Sequence, residues 1–481
     1  MEELEHTQRL QEALQWAESG QQDQAEVRLR ALVAEGTRLP LAYMALGVLC
    51  GERGDRPQRR LWLHQARRLE EASGKPPSLR LLLNLLVDAL EAGDLDQALA
   101  YGREALVLEP NDGETHLQQA RLLFALGKEE EGTHHLEQAC AGLWARVAER
   151  PNDGKAWRLL ATAEHTAERP DAAIEAHRGA LAVDPNHLPT LLAISRLLVE
   201  RGQIDEAMPW LMNALAIAPD EPDVLSLNGC ALKSIGEVPQ AIDLFRRALD
   251  LQPSHLEASM FLGGSLSDQG LFAEAEKVFR KALESFPGDI ELRSRLASAL
   301  RSLGDLEGAV RIYKELLEEV PDAQGAFNNL MFTYSISALA TPEEVLNTAR
   351  MFWQRQGVDP EAPKPASLQV NGRPLRVGLL SADIGNHVVG RFLDPLLRHH
   401  DPKRCQLELI SMYRRYEATS ETLITLADGF HSLQGLPRSQ ARDLLRQQNY
   451  DLIVDTSGYT RGSGIHLLAE RCAPVQAHYI G

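Results

Sequence analysis

Proline recurs at a fixed interval of 34 residues through the middle of the chain, and this period constrains the fold most. The prolines are Pro151, Pro185, Pro219, Pro253, Pro287 and Pro321. The same interval separates the alanines Ala173, Ala207, Ala241, Ala275 and Ala309 and the glycines Gly202, Gly236, Gly270 and Gly304. Glycine favours the end of a first helix, where a left-handed residue is wanted, and proline closes a second helix because it cannot continue it. The period predicts helix–turn–helix units that bury their apolar faces only against their neighbours.

One unit carries the residues that characterise this repeat: Trp157, Leu160, Ala161, Ala173, Ala180 and Pro185. It resembles the tetratricopeptide repeat, and matching units run over 79–112, 154–187, 188–221, 222–255, 256–289 and 290–323. The unit starting at Gly113 reaches its proline seven residues late, which predicts two extra helical turns around 143–150. With two weaker units at the start and a half repeat from Gln324, we predict about nine repeats and a half over 1–357. Such a superhelical solenoid binds protein or peptide partners.

The charge of the chain is unevenly distributed. The formal net charge is −18, yet the segment from Arg373 onward holds 13 Lys/Arg and 11 Asp/Glu, so the acidity belongs to the repeats. An acidic surface repels phosphate backbones, which excludes nucleic acid as an expected partner.

Cysteine usage and the start of the chain indicate a reducing compartment. Five cysteines are scattered without a CxxC pair, which predicts neither a disulfide framework nor a zinc site. The first ten residues, MEELEHTQRL, are acidic and polar, unlike a secretory signal. Charged residues interrupt the richest apolar stretch, 79–90, so we expect no membrane span. Together these features favour the cytoplasm.

The composition and the hydrophobic pattern of the sequence change near residue 373. A proline-rich stretch predicts a linker over 358–373, and short apolar runs then alternate with helical patterns over 374–481. Such alternation predicts a parallel sheet with helices on both faces, a Rossmann-like α/β lobe. Two polar, glycine-containing loops, 381–387 and 455–462, follow predicted strands, and ligands of such sheets bind beyond the carboxyl ends of strands.

Two stretches of this lobe resemble the catalytic region of O-linked N-acetylglucosamine transferases and SPINDLY-type proteins. They read LRVGLLSADIGNHVVGRFLDPLL and NYDLIVDTSGYTRGSGIHLLAERCAPVQ, and they follow repeats, as in that family. The resemblance implies the N-terminal half of a GT-B glycosyltransferase with no bound cofactor and no metal. It implies transfer of a sugar from a nucleotide donor, UDP-GlcNAc first and GDP-fucose as the alternative, to Ser/Thr of proteins.

The resemblance also implies a set of site residues. His387 corresponds to the family histidine that faces the cleft, and an imidazole titrating near neutrality suits deprotonation of a serine hydroxyl. The other expected cleft residues are Asp383, Asn386, Gly458, Tyr459 and Thr460. Asp383 and Asn386 serve equally well as a helix cap or turn former.

Three departures from the family pattern limit what the resemblance implies. A second family histidine precedes a phenylalanine, where this chain has Gly429, with His431 two positions on. The family's peptide-gripping asparagine ladder is met at Asn84 and Asn329, with other residue types at the equivalent positions between them. The sequence ends before a donor-binding lobe, so we expect no turnover from these 481 residues alone. The alternative function is a non-catalytic scaffold for protein–protein interaction.

Overall fold

The computed structural model describes residues 2–355, 372–413, 417–460, 462–469 and 471–479. The chain divides into two compact units, Met1–Glu237 and Val238–Gly481, and each is described by itself. Most of the predicted linker, 358–373, lies outside the described residues.

The first unit is helical throughout its described residues. Its helices are α1 (Glu2–Glu18), α2 (Gln22–Ala34), α3 (Pro40–Glu52), α4 (Arg56–Ala72), α5 (Leu79–Glu91), α6 (Leu95–Leu108), α7 (Gly113–Ala125), α8 (Glu129–Glu149), α9 (Gly154–Thr166), α10 (Pro170–Val183), α11 (Leu188–Glu200), α12 (Ile204–Ile217) and α13 (Pro222–Ser234). Aspartates begin several of them: Asp153, for example, accepts a hydrogen bond from the Ala156 amide at 2.9 Å. The 21 residues of α8 confirm the predicted extra turns, since its neighbours have 13.

The second unit begins with further helices of the same kind: α14 (Val238–Leu251), α15 (Leu256–Asp268), α16 (Phe272–Ser285), α17 (Ile290–Leu303), α18 (Leu306–Glu319), α19 (Gln324–Ser335) and α20 (Pro342–Arg355). The last repeat therefore has two helices, α19 and α20, where the sequence predicts a half repeat. The periodic glycines Gly202, Gly236, Gly270 and Gly304 all adopt left-handed backbone, with φ from +72° to +91°, as predicted for helix ends.

A parallel five-stranded sheet follows. Its elements are β1 (Leu375–Ser381), α21 (Val388–His399), β2 (Cys405–Ser411), α22 (Ala418–Leu426), β3 (Gly429–Ser432), α23 (Arg438–Gln447), β4 (Leu452–Asp455), α24 (Ile465–Leu468) and β5 (Val475–His478). The strand order is β3-β2-β1-β4-β5, and every neighbouring pair is parallel.

Both faces of the sheet are covered, as expected for a parallel sheet. Leu379 and Leu409 pack with Leu393 of α21 on one face. Leu380 packs with Leu445 of α23 on the other. The predicted fold class, a helical repeat solenoid followed by a parallel α/β sheet, is confirmed. Among the described residues, no helix is both long and apolar enough to cross a membrane.

Candidate functional site

The strand order places the two predicted loops side by side. The chain runs from β1 outward through β2 and β3, then returns to pair β4 on the other side of β1. The loops after β1 and β4 consequently meet at the carboxyl edge of the sheet, where the Ala382 amide donates to Ser457 Oγ at 2.9 Å. The Thr456 amide donates to the Leu380 carbonyl at 2.9 Å and ties the second loop to β1. This is the switch point at which ligands of open α/β sheets bind.

His387 is the residue that precedes helix α21. Its ring Nδ1 accepts a hydrogen bond from the Val389 amide at 3.3 Å and lies 4.0 Å from Asp383 Oδ1. The side chain is 44% exposed at this edge. Because Nδ1 is an acceptor, the proton of the neutral imidazole belongs on Nε2, which is then a hydrogen-bond donor.

Asp383 and Asn386 shape the loop that leads to this histidine. The Asp383 amide donates to Ser381 Oγ at 3.0 Å, and the Asn386 amide donates to Glu417 Oε1 at 2.6 Å. The loop is also pressed against the helix that follows it, because a Cβ at Gly390 would lie 2.0 Å from the carbonyl oxygen of residue 385. Only glycine therefore fits at position 390 without moving the loop.

Asp455 and His478 form a pair that the sequence analysis does not single out. Asp455 is fully buried, and its Oδ2 accepts from the Gly458 amide and from His478 Nδ1, both at 2.8 Å. Burial raises the pKa of Asp455, and the hydrogen bonds from Gly458 and His478 oppose that rise. The His478 side chain is 45% exposed. No motif in the sequence marks this pair. The two residues come together because the register of β4 and β5 places Asp455 opposite His478.

The loop after β4 also carries the predicted residues Gly458, Tyr459 and Thr460. Gly458 has φ +59°, and Thr460 Oγ1 donates to the Ser457 carbonyl at 2.7 Å. The Tyr459 ring stands edge-on to Phe327 of α19, with centroids 5.6 Å apart. Burial raises the pKa of the Tyr459 hydroxyl. These contacts hold the loop against the last repeat helices of the same unit.

A pocket of about 790 Å³ lies between those helices and the sheet loops. Tyr459 and Thr460 line it from the lobe, and Asn329, Arg301 and Phe332 line it from the repeats. The Arg301 guanidinium lies 4.9 Å from the Phe332 ring centroid, and its Nη1 donates to Asn329 Oδ1 at 3.4 Å. Of the sequence-predicted residues, this pocket brings together Tyr459, Thr460 and Asn329. Sequence reasoning missed the arginine and the phenylalanine.

The remaining ladder position lies in the first unit. Asn84 is on α5, where its Nδ2 donates to the Arg80 carbonyl at 2.9 Å. At the equivalent positions, Leu227 is buried and Phe261 stacks on Phe245 with centroids 5.8 Å apart. These two side chains serve the packing of the helices.

The described residues hold no group of three or more His, Cys, Asp or Glu side chains placed to bind a metal ion. None of the five cysteines, all of which lie in the part of the chain that the structure describes, forms a disulfide, and burial raises the pKa of Cys140 to about 12. A thiol with so high a pKa is a poor nucleophile.

Comparison with protein families identifies the repeats. Models described as tetratricopeptide repeat match residues 227–290 in one case and 164–228 and 266–331 in another. Residues 164–331 are tetratricopeptide repeats. The predicted repeat type is thus confirmed on this segment.

Curated relatives extend the comparison to named transferases. The probable UDP-N-acetylglucosamine–peptide N-acetylglucosaminyltransferase SPINDLY of Hordeum vulgare is 23% identical over 171 residues, covering 34% of this chain and 18% of that protein. The SPINDLY protein of Arabidopsis thaliana is 22% identical over 166 residues, again covering 34% and 18%. The UDP-N-acetylglucosamine–peptide N-acetylglucosaminyltransferase of Caenorhabditis elegans is 28% identical over 113 residues, covering 23% and 10%. The chain is homologous to these transferases over the aligned segments and spans less than a fifth of their length.

Among solved structures, an O-GlcNAc transferase mutant of Thermobaculum terrenum matches with a TM-score of 0.47 and 25% identity. That match covers 54% of this chain and 50% of the other.

Proposed function

We propose that this chain acts in a protein O-glycosyltransferase, which moves a sugar from a nucleotide donor to Ser or Thr hydroxyls of protein acceptors. Homology to peptide N-acetylglucosaminyltransferases supports the reaction class. The observation that carries the proposal is the composition of the pocket wall. Repeat residues and switch-point loop residues line the same cavity, so a segment bound by the repeats would lie against the edge of the sheet.

The pocket has the groups needed to hold an extended polypeptide. The amides of Asn328 and Asn329 reach its wall from α19, and Ser294 reaches it from α17. Side-chain amides can both donate to and accept from a peptide backbone, which suits binding without strong sequence preference. A cavity of about 790 Å³ is large enough for several residues of an acceptor segment.

We propose UDP-GlcNAc as the donor because the relatives are named for it, with GDP-fucose as the alternative. In this proposal the lobe is the acceptor-side half of a GT-B enzyme, and His387 lies at the reacting centre with Asp383 and Asn386 shaping its loop. The imidazole of His387 offers an Nε2–H donor to an oxygen of the reacting groups. The five cysteines, scattered without a CxxC pair, fit a reducing, cytoplasmic site of action.

The test uses the native protein, isolated from its source cells with an antibody against residues 1–357. It is incubated with tritiated UDP-GlcNAc or GDP-fucose and a mixture of cell proteins. We expect label on proteins from one donor, released by alkaline elimination as an O-linked sugar would be. A native protein that transfers neither sugar would exclude the enzyme and leave the scaffold.

The scaffold is the second candidate, because the matching family models fall only on the repeats. Tetratricopeptide repeats bind protein partners without catalysis in many settings. A scaffold predicts capture of partners by the native protein with no incorporation of label. It also predicts that His387→Ala leaves every measurable property except local stability unchanged.

A further inference from the structure

Helix α17 carries three arginines, and their side chains differ in their partners. The Arg293 guanidinium donates to Glu319 at 2.6 Å, and Arg295 pairs with Glu291 at 2.8 Å. Arg301 is partly buried and forms no ion pair with any carboxylate in the part of the chain that the structure describes. A charge that is taken partly out of water is normally paired. Arg301 lines the pocket, so a ligand can supply the partner that the chain does not.

Two contacts with α19 hold the Arg301 guanidinium in place. Its central carbon lies 4.9 Å from the centroid of the Phe332 ring, and its Nη1 donates to Asn329 Oδ1 at 3.4 Å. All three side chains line the pocket of about 790 Å³. A guanidinium that lies over an aromatic ring keeps the N–H groups on its edge for a planar, bidentate partner such as a carboxylate. The Phe332 ring therefore covers one face of the guanidinium and leaves its edge for a ligand.

The neighbouring amides of the pocket wall also keep donors for a ligand. Asn328 Oδ1 accepts from Gln324 Nε2 at 2.6 Å, and Asn329 Oδ1 accepts from Arg301, which has donors only. Among the described residues, neither Asn328 Nδ2 nor Asn329 Nδ2 donates to a group that lines the pocket. Each Nδ2 carries two N–H donors. This side of the pocket thus offers donors from three neighbouring side chains and suits a ligand with exposed acceptor oxygens.

The pocket as a whole carries no excess of positive charge. Asp268 and Glu291 line it together with Arg295 and Arg301, so its full charges balance when His466 is counted as neutral. A balanced wall does not attract every anion through a general field. Selectivity for a negative ligand must therefore come from the local contacts of one side chain, and Arg301 has those contacts.

We infer that Arg301 determines the acceptor specificity of this pocket and selects segments that carry a glutamate or aspartate at one fixed position. The carboxylate binds the edge of the guanidinium and the Nδ2 group of Asn329. This inference rests on the proposed function, because it takes the occupant of the pocket to be a segment of an acceptor protein. It adds the chemical class of that acceptor, an acidic segment, to the proposed function.

Peptide binding by the 481-residue chain tests the inference. The probes are short, dye-labelled peptides of alanine and threonine around a central serine, blocked at both ends. One glutamate is moved through every position, and each peptide has a partner with glutamine at that position. Binding is measured by fluorescence anisotropy at about 0.15 M salt, where long-range attraction is screened.

We expect the wild-type chain to bind the glutamate peptide about tenfold more tightly than its glutamine partner, at one position only. A single position is expected because Phe332 and Asn329 fix the place of the guanidinium. The same gain at every position would indicate a general attraction to negative charge and would overturn the inference. A gain at no position would overturn it as well.

Two variants remove the proposed subsite in different ways. Arg301→Gln removes the guanidinium, whereas Asn329→Asp keeps it and supplies a carboxylate from the wall itself, next to Nη1. In both variants we expect the preference for glutamate to fall below about twofold. The matched control is Arg293→Gln, which changes an arginine of the same helix that lies outside the pocket and already has a carboxylate partner. It should keep the full preference.

Melting temperatures of the three variants show whether each one is folded. Asn329→Asp should be at least as stable as the wild type, because it pairs a cation that the chain leaves unpaired. If folded Asn329→Asp or folded Arg301→Gln keeps the tenfold preference, Arg301 is not the residue that selects the acceptor.

Sugar transfer by the native protein separates this inference from the proposed function. With the tritiated donor and the paired peptides, we expect kcat/KM to be about tenfold higher for the glutamate peptide, through KM rather than kcat. Equal transfer to both peptides would reject the acidic preference and leave the proposed function standing. Preferential binding of the glutamate peptide by a native protein that transfers no sugar would reject the proposed function and keep the acidic subsite for a scaffold.

Discussion

Two neighbouring glycines of α15 give opposite predictions for the same substitution. A Cβ at Gly263 would lie 2.4 Å from both Cε1 and Cζ of the Phe279 ring, whereas a Cβ at Gly264 meets only the Arg295 Nη1 at 3.4 Å. Both positions are helical and neither needs left-handed backbone. Gly→Ala in a helix gains about 1 kcal/mol from propensity alone. The two variants therefore differ only in packing.

The packing cost decides the sign at Gly263. Overpacking a filled core costs about 1–3 kcal/mol. The Phe279 ring is 1% exposed, so a large part of that cost should remain after the ring shifts. We expect Gly263→Ala to lower the stability of the α15–α16 pair by about 1 kcal/mol and Gly264→Ala to raise it by up to about 1 kcal/mol.

Native-state hydrogen exchange measures this difference locally. A gap of about 2 kcal/mol corresponds to a roughly 30-fold difference in the opening equilibrium of α15 and α16 amides. Exchange is compared for the two variants and the wild type in the same buffer. If Gly263→Ala protects these amides as well as Gly264→Ala does, close approach is not the reason for glycine at 263.

Three further predictions concern the second unit. Arg301→Gln removes a charged donor from the pocket wall and should weaken binding of a Ser/Thr-containing acceptor peptide about tenfold, measured by fluorescence anisotropy. Arg293→Gln, on the same helix but outside the pocket, should leave this binding unchanged. Arg373→Ala should lower the melting temperature of the lobe by about 2–8 °C near pH 7. The Arg373 guanidinium lowers the pKa of Asp451 in the folded lobe. The stabilisation by this pair is therefore complete above the ordinary aspartate pKa and is lost as the pH falls through the lower folded pKa. The difference in melting temperature between wild type and variant should shrink below about pH 4. Gly390→Ala must move the 385–387 loop by about 1 Å, which should reduce kcat/KM for sugar transfer by about 100-fold, measured with the native protein.

The repeat period predicted most of the helical architecture because each of its markers has a local cause. The glycines end helices by left-handed backbone, and the late proline after α8 follows from the length of that helix. The final repeat was harder to predict. The 34-residue period calls for glycine at 338 and proline at 355, but the chain has Ala338 and Arg355 there, so the sequence suggested a half repeat where the structure has two helices.

Four of the five strands were predictable from the sequence. The runs of β1, β2 and β4 are largely buried and rich in Leu, Ile and Val, and the alternation of apolar runs with helical patterns also predicted β5, which is mostly exposed. Strand β3 reads GFHS over four partly buried residues and gives no such signal. Its place at the sheet edge comes from pairing with β2, which local sequence does not encode.

The candidate site shows where sequence reasoning has to stop. Residue types indicated His387, but the available nitrogen depends on the Val389 amide, which only the fold positions. His478 is the last residue of strand β5, and it lies opposite Asp455 only because β4 and β5 pair in one register. The Tyr479 amide supports this register by donating to the Asp455 carbonyl at 2.8 Å. A slip of one residue would bring Tyr479 opposite Asp455 and turn the imidazole to the other face of the sheet. The chemistry at this edge is therefore a property of strand register as much as of residue identity.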